Sequence, residues 1–412
     1  MRKILIVGAG QAGLQLALGV QQRRYEVTVV SDRTPDGIAA GKVMSSQCMF
    51  RTALQTERRL GIDLWSGICP TVDGIQLTVP GPDSSKALNW AARLEAPAQS
   101  VDQRVKIPRW MQVFEQCGGK LLIHDASVDD LEEYATDNDL VLVAAGKGSI
   151  SSLFERDAEK SPYDKPQRAL AMTYVTGLRP RPDYPAVCFN LVPGVGEYFA
   201  LPALTTTGPC EIMVFEGVPG GPMDCWADVR TPARHLARSQ QILETFLPWE
   251  AERARSAALT DDNGVLTGRF TPTVRKPVGM LPSGRHVLGV ADVVVLNDPI
   301  TGQGSNNAAK CAASYLDAIV TRGEEPFDAA WMQQTFDRYW SYARHVTAWT
   351  NAMLAPPPAH VLELLGAAQK YPAIASRFAN GFDNPPDFTG WFMDPGQAAR
   401  HLADTGTARS AE

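Results

Sequence analysis

Four short apolar runs recur with the length of buried strands: KILIVG at 3–8, YEVTVVS at 25–31, KLLIHD at 120–125 and DLVLVAAGKGS at 139–149. They lack strict alternation, which marks strands covered on both faces, as in parallel sheets. Between the first two, residues 11 to 22 follow a helical period, so the chain opens with a βαβ unit. A different rhythm holds at GIQLTVP (74–80) and ALNWAARLEA (87–96), and again at AVCFNLV (186–192), GEYFALP (196–202) and CEIMVFEG (210–217), where glycine and proline punctuate short strands. Helices are predicted over 101–117, 232–255 and 305–321. From 326 onward the chain reads as helical, broken by Pro356, Pro357 and Pro358 and carrying Trp331, Trp340, Trp349 and Trp391 at spacings that suit core packing; the last dozen residues look frayed.

This order predicts an α/β chain in which a Rossmann-like nucleotide domain (1–71, 97–167 and 276–325) is interleaved with a β-rich substrate domain (72–96 and 168–275). A helical C-terminal region (326–412) follows. The formal charge of −6 and the absence of a Lys/Arg run argue against nucleic acid as a partner. No apolar run reaches 18 residues, and the glycine-broken N-terminus does not read as a signal peptide, so no membrane span is expected. The seven cysteines form no C-x-x-C pair and read as buried thiols in a reducing cytoplasm. The six histidines are scattered and read as packing or surface residues; no metal site is expected.

Gly8-Ala9-Gly10-Gln11-Ala12-Gly13 lies at the junction of the first strand and helix. Its glycines suit a tight turn, close approach of backbone to a pyrophosphate, and helix–strand packing, while the helix N-terminus offers N–H groups to phosphate. The acid expected on the ribose is displaced: Ser31 stands in its place and Asp32 one residue later, and either can make that contact. Lys42 and Arg104 are candidate cation partners for the phosphates.

A second glycine-bearing segment, GVADVVVLNDPITGQGSNNA (289–308), follows strand-like residues far along the chain. Two such segments fit one long ligand such as FAD. Asp292 supplies an acid for the ribityl hydroxyls, Gly302 and Gly304 let backbone approach a flat ring, and Ser305, Asn306 and Asn307 open the next helix. The alternative is a capped helix entry in an NAD enzyme. No second G-x-G-x-x-G is present for a nicotinamide cofactor; GVPGGP at 217–222 lacks a strand–helix context.

IVGAGQAG, the AAG at 144–146 and AD…DPITGQGSN resemble flavoprotein monooxygenases built like para-hydroxybenzoate hydroxylase. One-component members carry an Asp-Gly pair where this chain has Ala145-Gly146, which fits the two-component branch fed with reduced FAD by a separate flavin reductase. TVVSDRTPD, LEAPAQSVDQR, SPYDKPQRAL and DPITGQGSN resemble the styrene and indole monooxygenases over almost the whole chain. Six positions separate the two preferences in that family. The resemblance places them at Ser45, Gln47, Met49, Val72, Ile75 and Ala98, each with the indole-type residue, so an indole-like aromatic substrate is implied. It further implies O2 as co-substrate, epoxidation of the indole 2,3-bond to a product that yields indoxyl and indigo, styrene epoxidation and sulfoxidation as side activities, and a possible homodimer. Pro299, Ile300, Thr301, Gly302 and Gln303 are the expected ring-side contacts.

Three other readings stay open: a styrene-preferring epoxidase, a one-component NAD(P)H-dependent aromatic hydroxylase, and a redox-neutral flavin-binding protein. A flavin-dependent halogenase is disfavoured, since KIPRW (106–110) does not match its W-x-W-x-I-P segment.

Overall fold

A computed structural model describes residues 1–83, 85–145 and 148–408. Two sheets organise it. The first runs Val278–Met280, His286–Gly289, Leu140–Val143, Lys3–Val7, Glu26–Ser31, Lys120–Ile123; all neighbours are parallel except the Val278–Met280 hairpin edge. Ile4, Ile6, Val29, Leu142 and Leu288 are at most 1 % exposed, because helices cover both faces. The second sheet has eight strands drawn from 71–99 and 169–268. It is antiparallel except where Thr71–Pro80 pairs in parallel with Ala186–Val192, joining its two sequence-distant halves.

Several elements depart from the sequence reading. The stretch 232–255 is two helices, Pro232–Phe246 and Pro248–Arg253, because Pro248 has no N–H to continue the ladder. The helices Pro35–Ala39, Arg51–Arg59 and Val128–Asp137 were not anticipated; the last begins on a reciprocal Ser127–Asp130 capping box. The C-terminus is not frayed over a dozen residues: a helix continues from Pro395 to Ala408. Gly146, which bears on the comparison with one-component enzymes, lies outside the described residues. Cys117 is exposed and Cys225 half-buried, so only five of the seven free thiols are buried as expected.

The Ala329–Leu354 helix bridges the two cores: Trp331, Phe336 and Tyr339 pack in the core of the first sheet, while Trp349 and the helices after it pack in that of the second. Trp90 meets Phe378 edge-on at 5.5 Å and donates its indole N–H to the Leu365 carbonyl at 3.0 Å. Trp349 stacks on Phe388 at 4.2 Å. Trp331, Trp349 and Trp391 are buried, as core packing requires. Among the described residues no helix is long and apolar enough to cross a membrane, and no group of three or more His, Cys, Asp or Glu side chains is placed to hold a metal ion.

Candidate flavin site

Two helices, Gln11–Gln22 and Gly304–Arg322, lie side by side. Gln15 donates to the Ala309 carbonyl at 2.9 Å, and Gly19 sits against Leu316. Four residues along the first helix correspond to seven along the second, so the two run in the same direction and their N-termini lie together. Neither N-terminus has a side-chain cap. The first intrahelical bonds are Leu14 N–H to Gly10 and Asn307 N–H to Gln303. The N–H groups of Gln11, Ala12 and Gly13, and of Gly304, Ser305 and Asn306, precede them and have no helical acceptor. Two positive dipole ends thus open at the carboxyl edge of the parallel sheet, the usual place for a nucleotide in such folds.

The glycines fit this use. Gly8, at φ +112, and Gly13 are packed solid: a Cβ on Gly13 would stand 1.9 Å from the Gly8 carbonyl oxygen. At Gly10, Gly302 and Gly304 a Cβ would meet nothing within 4 Å, so backbone there faces open space. Gly302 is left-handed at φ +62 and ends the Pro299–Thr301 turn. Tight glycines shape the first loop; open ones leave room for a ligand in both.

Asp292 follows the His286–Gly289 strand. It keeps solvent-accessible surface although enough protein surrounds it for desolvation to push its carboxyl up to about 6. Both properties hold together for a group lining a narrow cleft. Ala291 beside it is left-handed, at φ +53. Asp32 is exposed and pairs loosely with Arg33, while Ser31 is buried with its hydroxyl donating to the Arg33 carbonyl at 2.8 Å.

The second cradle is braced from outside. The Thr301 and Thr350 hydroxyls are 2.6 Å apart, and Gln303 donates to the Phe382 carbonyl at 3.0 Å. Thr301 and Gln303 are buried, so their side chains hold the turn while backbone is left for a ligand. Asn306 does not cap its own helix. It accepts from Phe50 N–H at 2.9 Å and donates to the Cys48 carbonyl at 2.8 Å, pinning the 48–50 segment beside the cradle.

The six positions singled out by the resemblance lie on the 45–49 segment and on the paired strands at 71–99, which meet at the Met49–Gln99 bridge. Val72 and Ala98 face each other across paired strands; both are fully buried, and with Ile75 they belong to the same apolar core as Ile300. Met49 pairs through its backbone with Gln99, next to Ala98. Ser45 donates to the side-chain Oε1 of Gln47 at 3.0 Å, the Gln47 amide NH2 donates to the Tyr174 hydroxyl at 3.4 Å, and that hydroxyl donates to the Ser45 carbonyl at 2.9 Å. Tyr174 escaped sequence reading, for nothing in a β-strand tyrosine announces its partner 129 residues away.

The two candidate phosphate cations are placed differently. Lys42 is exposed. Arg104 is 3 % exposed and its guanidinium is taken up by Asp102 at 2.8 Å, Asp261 at 2.9 Å and Thr205 at 3.0 Å. This geometry makes it a tie between the Gln103–Gln116 helix and the loop at 261. A second buried network was not foreseen: Lys106 and Glu57 pair at 2.7 Å, Gln11 donates to Glu57 at 2.9 Å, and Lys106 also meets the Met49 sulfur at 3.2 Å. It fastens Gln11 of the first loop to Met49, yet in sequence Glu57 and Lys106 look like solvated charges.

The chain is 30 % identical over 419 aligned positions to "Styrene monooxygenase StyA" of Pseudomonas fluorescens, covering 98 % of this chain and 99 % of that one. The chain belongs to the styrene monooxygenase family. A second StyA, from a Pseudomonas sp, is 29 % identical over the same shares. Residues 146–253 match a family model described as "Styrene monooxygenase A putative substrate binding domain". Among solved structures, the flavin-dependent brominase Bmp2 superposes with a TM-score of 0.70 at 12 % identity over 98 % of this chain and 99 % of that one. A flavoprotein/dehydrogenase from Cytophaga hutchinsonii reaches 0.68 at 12 % over 97 % and 99 %. At such identities these two establish the fold alone. The family member described here is a flavin-dependent monooxygenase, and FAD is its cofactor. The paired uncapped helix ends and the open glycines fit that group.

Proposed function

We propose that this styrene monooxygenase family member is the oxygenase component of a two-component system that epoxidises indole-like aromatics. A separate flavin reductase supplies its reduced FAD, in the cytoplasm, and the enzyme works as a homodimer. When bound, reduced FAD supplies the oxygen chemistry with O2. The chain's own contribution is position and dryness. The N–H groups of Gln11, Ala12 and Gly13 would hold the pyrophosphate, Ser31 or Asp32 the adenosine ribose, Asp292 the ribityl hydroxyls, and the backbone of Pro299–Gly304 the ring. Met49, Val72, Ile75, Ala98 and Ile300 exclude water and orient a flat apolar substrate. The side-chain oxygen of Gln47, buried beside Ser45 and Tyr174, offers the substrate N–H an acceptor.

The observation that carries this reading is the shared apolar core of Val72, Ile75 and Ala98 with Ile300 of the second cradle. The test supplies photochemically reduced FAD, oxygen and an equimolar indole–styrene mixture with no reductase. Indoxyl and then blue indigo should dominate. Styrene oxide as the main product establishes the styrene-preferring alternative, and turnover driven by NADH or NADPH alone establishes a one-component hydroxylase. Gln47→Val should lower the indole-to-styrene product ratio roughly tenfold, the loss of one hydrogen bond to a buried N–H; an unchanged ratio removes Gln47 from this role.

A further inference from the structure

Where the second sheet meets the Pro299–Thr301 turn, four ionisable side chains are enclosed. Arg168 grips both oxygens of Glu197, at 2.7 Å and 2.9 Å. This pair is close to electrically neutral. Beyond it lie Glu216, fully buried on the Gly208–Gly217 strand, and Asp298, 3 % exposed. Their side chains are within hydrogen-bond contact of each other. Asp298 also accepts from the Ile300 N–H at 3.1 Å, which caps the turn. With both groups ionised, neither oxygen of Glu216 has a donor.

Two adjacent carboxylates this deeply buried, beside an arginine already paired with Glu197, do not both hold charge. One proton must stay. Asp298 has a backbone N–H stabilising its anion; Glu216 has no such donor. The proton therefore sits on Glu216 and is donated to Asp298. We propose that Glu216 is a positioning residue whose neutral carboxyl, by donating to Asp298, keeps the Pro299–Gln303 cradle in shape, and that removing this single proton loosens the cradle.

The groups facing the pair from neighbouring elements are Arg168, Glu197 and the phenol of Tyr163, whose hydroxyl donates to the Asn351 carbonyl at 3.1 Å. Among these described residues Arg168 is the cation, and it is already matched by Glu197. Burial, then the nearby Asp298, raise the Glu216 carboxyl above its ordinary range. A raised acid in the folded state gives stability that is full below the ordinary carboxylate range and is lost as pH climbs through the folded value. The consequence for product formation rests on the flavin-site reading above; the consequence for stability does not.

The first experiment follows thermal unfolding of the ligand-free protein and of Glu216→Gln, an uncharged isostere, at about pH 5 and about pH 8. Relative to wild type, Glu216→Gln should gain a few degrees in Tm on going to the higher pH. Equal pH slopes in both proteins overturn the proposal. The second supplies reduced FAD, oxygen and indole, and reads hydrogen peroxide released per oxygenated product. In wild type that ratio should at least roughly double at alkaline pH, as a leaky site requires, along a one-proton curve. Glu216→Gln should stay flat, and Glu216→Ala should be high throughout. If wild type and Glu216→Gln climb together, the proposal fails while the monooxygenase reading stands. If no alkene is oxygenated at any pH, that reading fails, and the Tm comparison still decides the proton.

Discussion

Ala291 is a non-glycine residue held left-handed beside the acid of the second cradle. Such a backbone costs an alanine roughly 1–2 kcal/mol, but its methyl is buried, worth about 0.8 kcal/mol. With the roughly 0.5–1 kcal/mol of extra backbone freedom that a glycine loses on folding, the effects nearly cancel, so Ala291→Gly should leave Tm almost unchanged, whereas Ala291→Val, β-branched in the same conformation, should lower it; thermal unfolding of both variants checks this. Asp292 next to it carries a price in stability. Its carboxyl is raised to about 6 by desolvation, so it loses stability as pH rises from the ordinary carboxylate range through that value. Asp292→Asn should match wild-type Tm near pH 4 and exceed it at neutral pH in the ligand-free protein, a range set by that raised value. It should also bind FAD more weakly, a fluorescence titration that separates the two consequences.

At the scale of elements, the βαβ opening and both glycine segments were readable because strand, turn and helix there are local and each glycine has a local reason. Charged residues were not. Arg104 looked like a phosphate ligand, but the fold sets Asp102 and Asp261 around it. Arg104→Met leaves Asp102, itself 1 % exposed, without its cation. Breaking a buried pair in this way costs about 3–5 kcal/mol. The variant should therefore lose Tm strongly, while any soluble fraction binds FAD nearly as well as wild type. A selective loss of FAD affinity at unchanged Tm would restore the phosphate role. Glu57 and Lys106 escaped notice for the same reason: exposure is the default for such residues, and only packing between three helices overrides it.

Across the whole molecule, the C-terminal helices are part of the site's support. Phe382 contacts Phe50, Phe189 and Trp349, and its carbonyl receives Gln303 from the second cradle. Phe388, fully buried against Trp349, sits at the centre of this packing. Phe388→Ala should cost about 3–5 kcal/mol by opening a cavity, lowering Tm, and should raise peroxide leakage because the brace on the cradle slackens. Normal coupling at a lowered Tm would show that the tail stabilises without shaping the site. Two surface grooves of about 450 Å³ each, sharing Arg51 and Asn384, lie against these helices.

Local chemistry in the chain was enough to specify the nucleotide loop, most strands of the two sheets and the apolar character of Val72, Ile75 and Ala98, because turn geometry and hydrophobic period act over a few residues; the short edge strands at 258–268 and 278–280 were not legible. Tertiary structure alone decided that two helices run parallel with their free ends together, that Asn306 clasps the 48–50 segment, and that Glu216 meets Asp298 with one proton between them. Those outcomes depend on distances between residues tens to hundreds of positions apart, and on the withdrawal of water that packing brings. No local pattern encodes either.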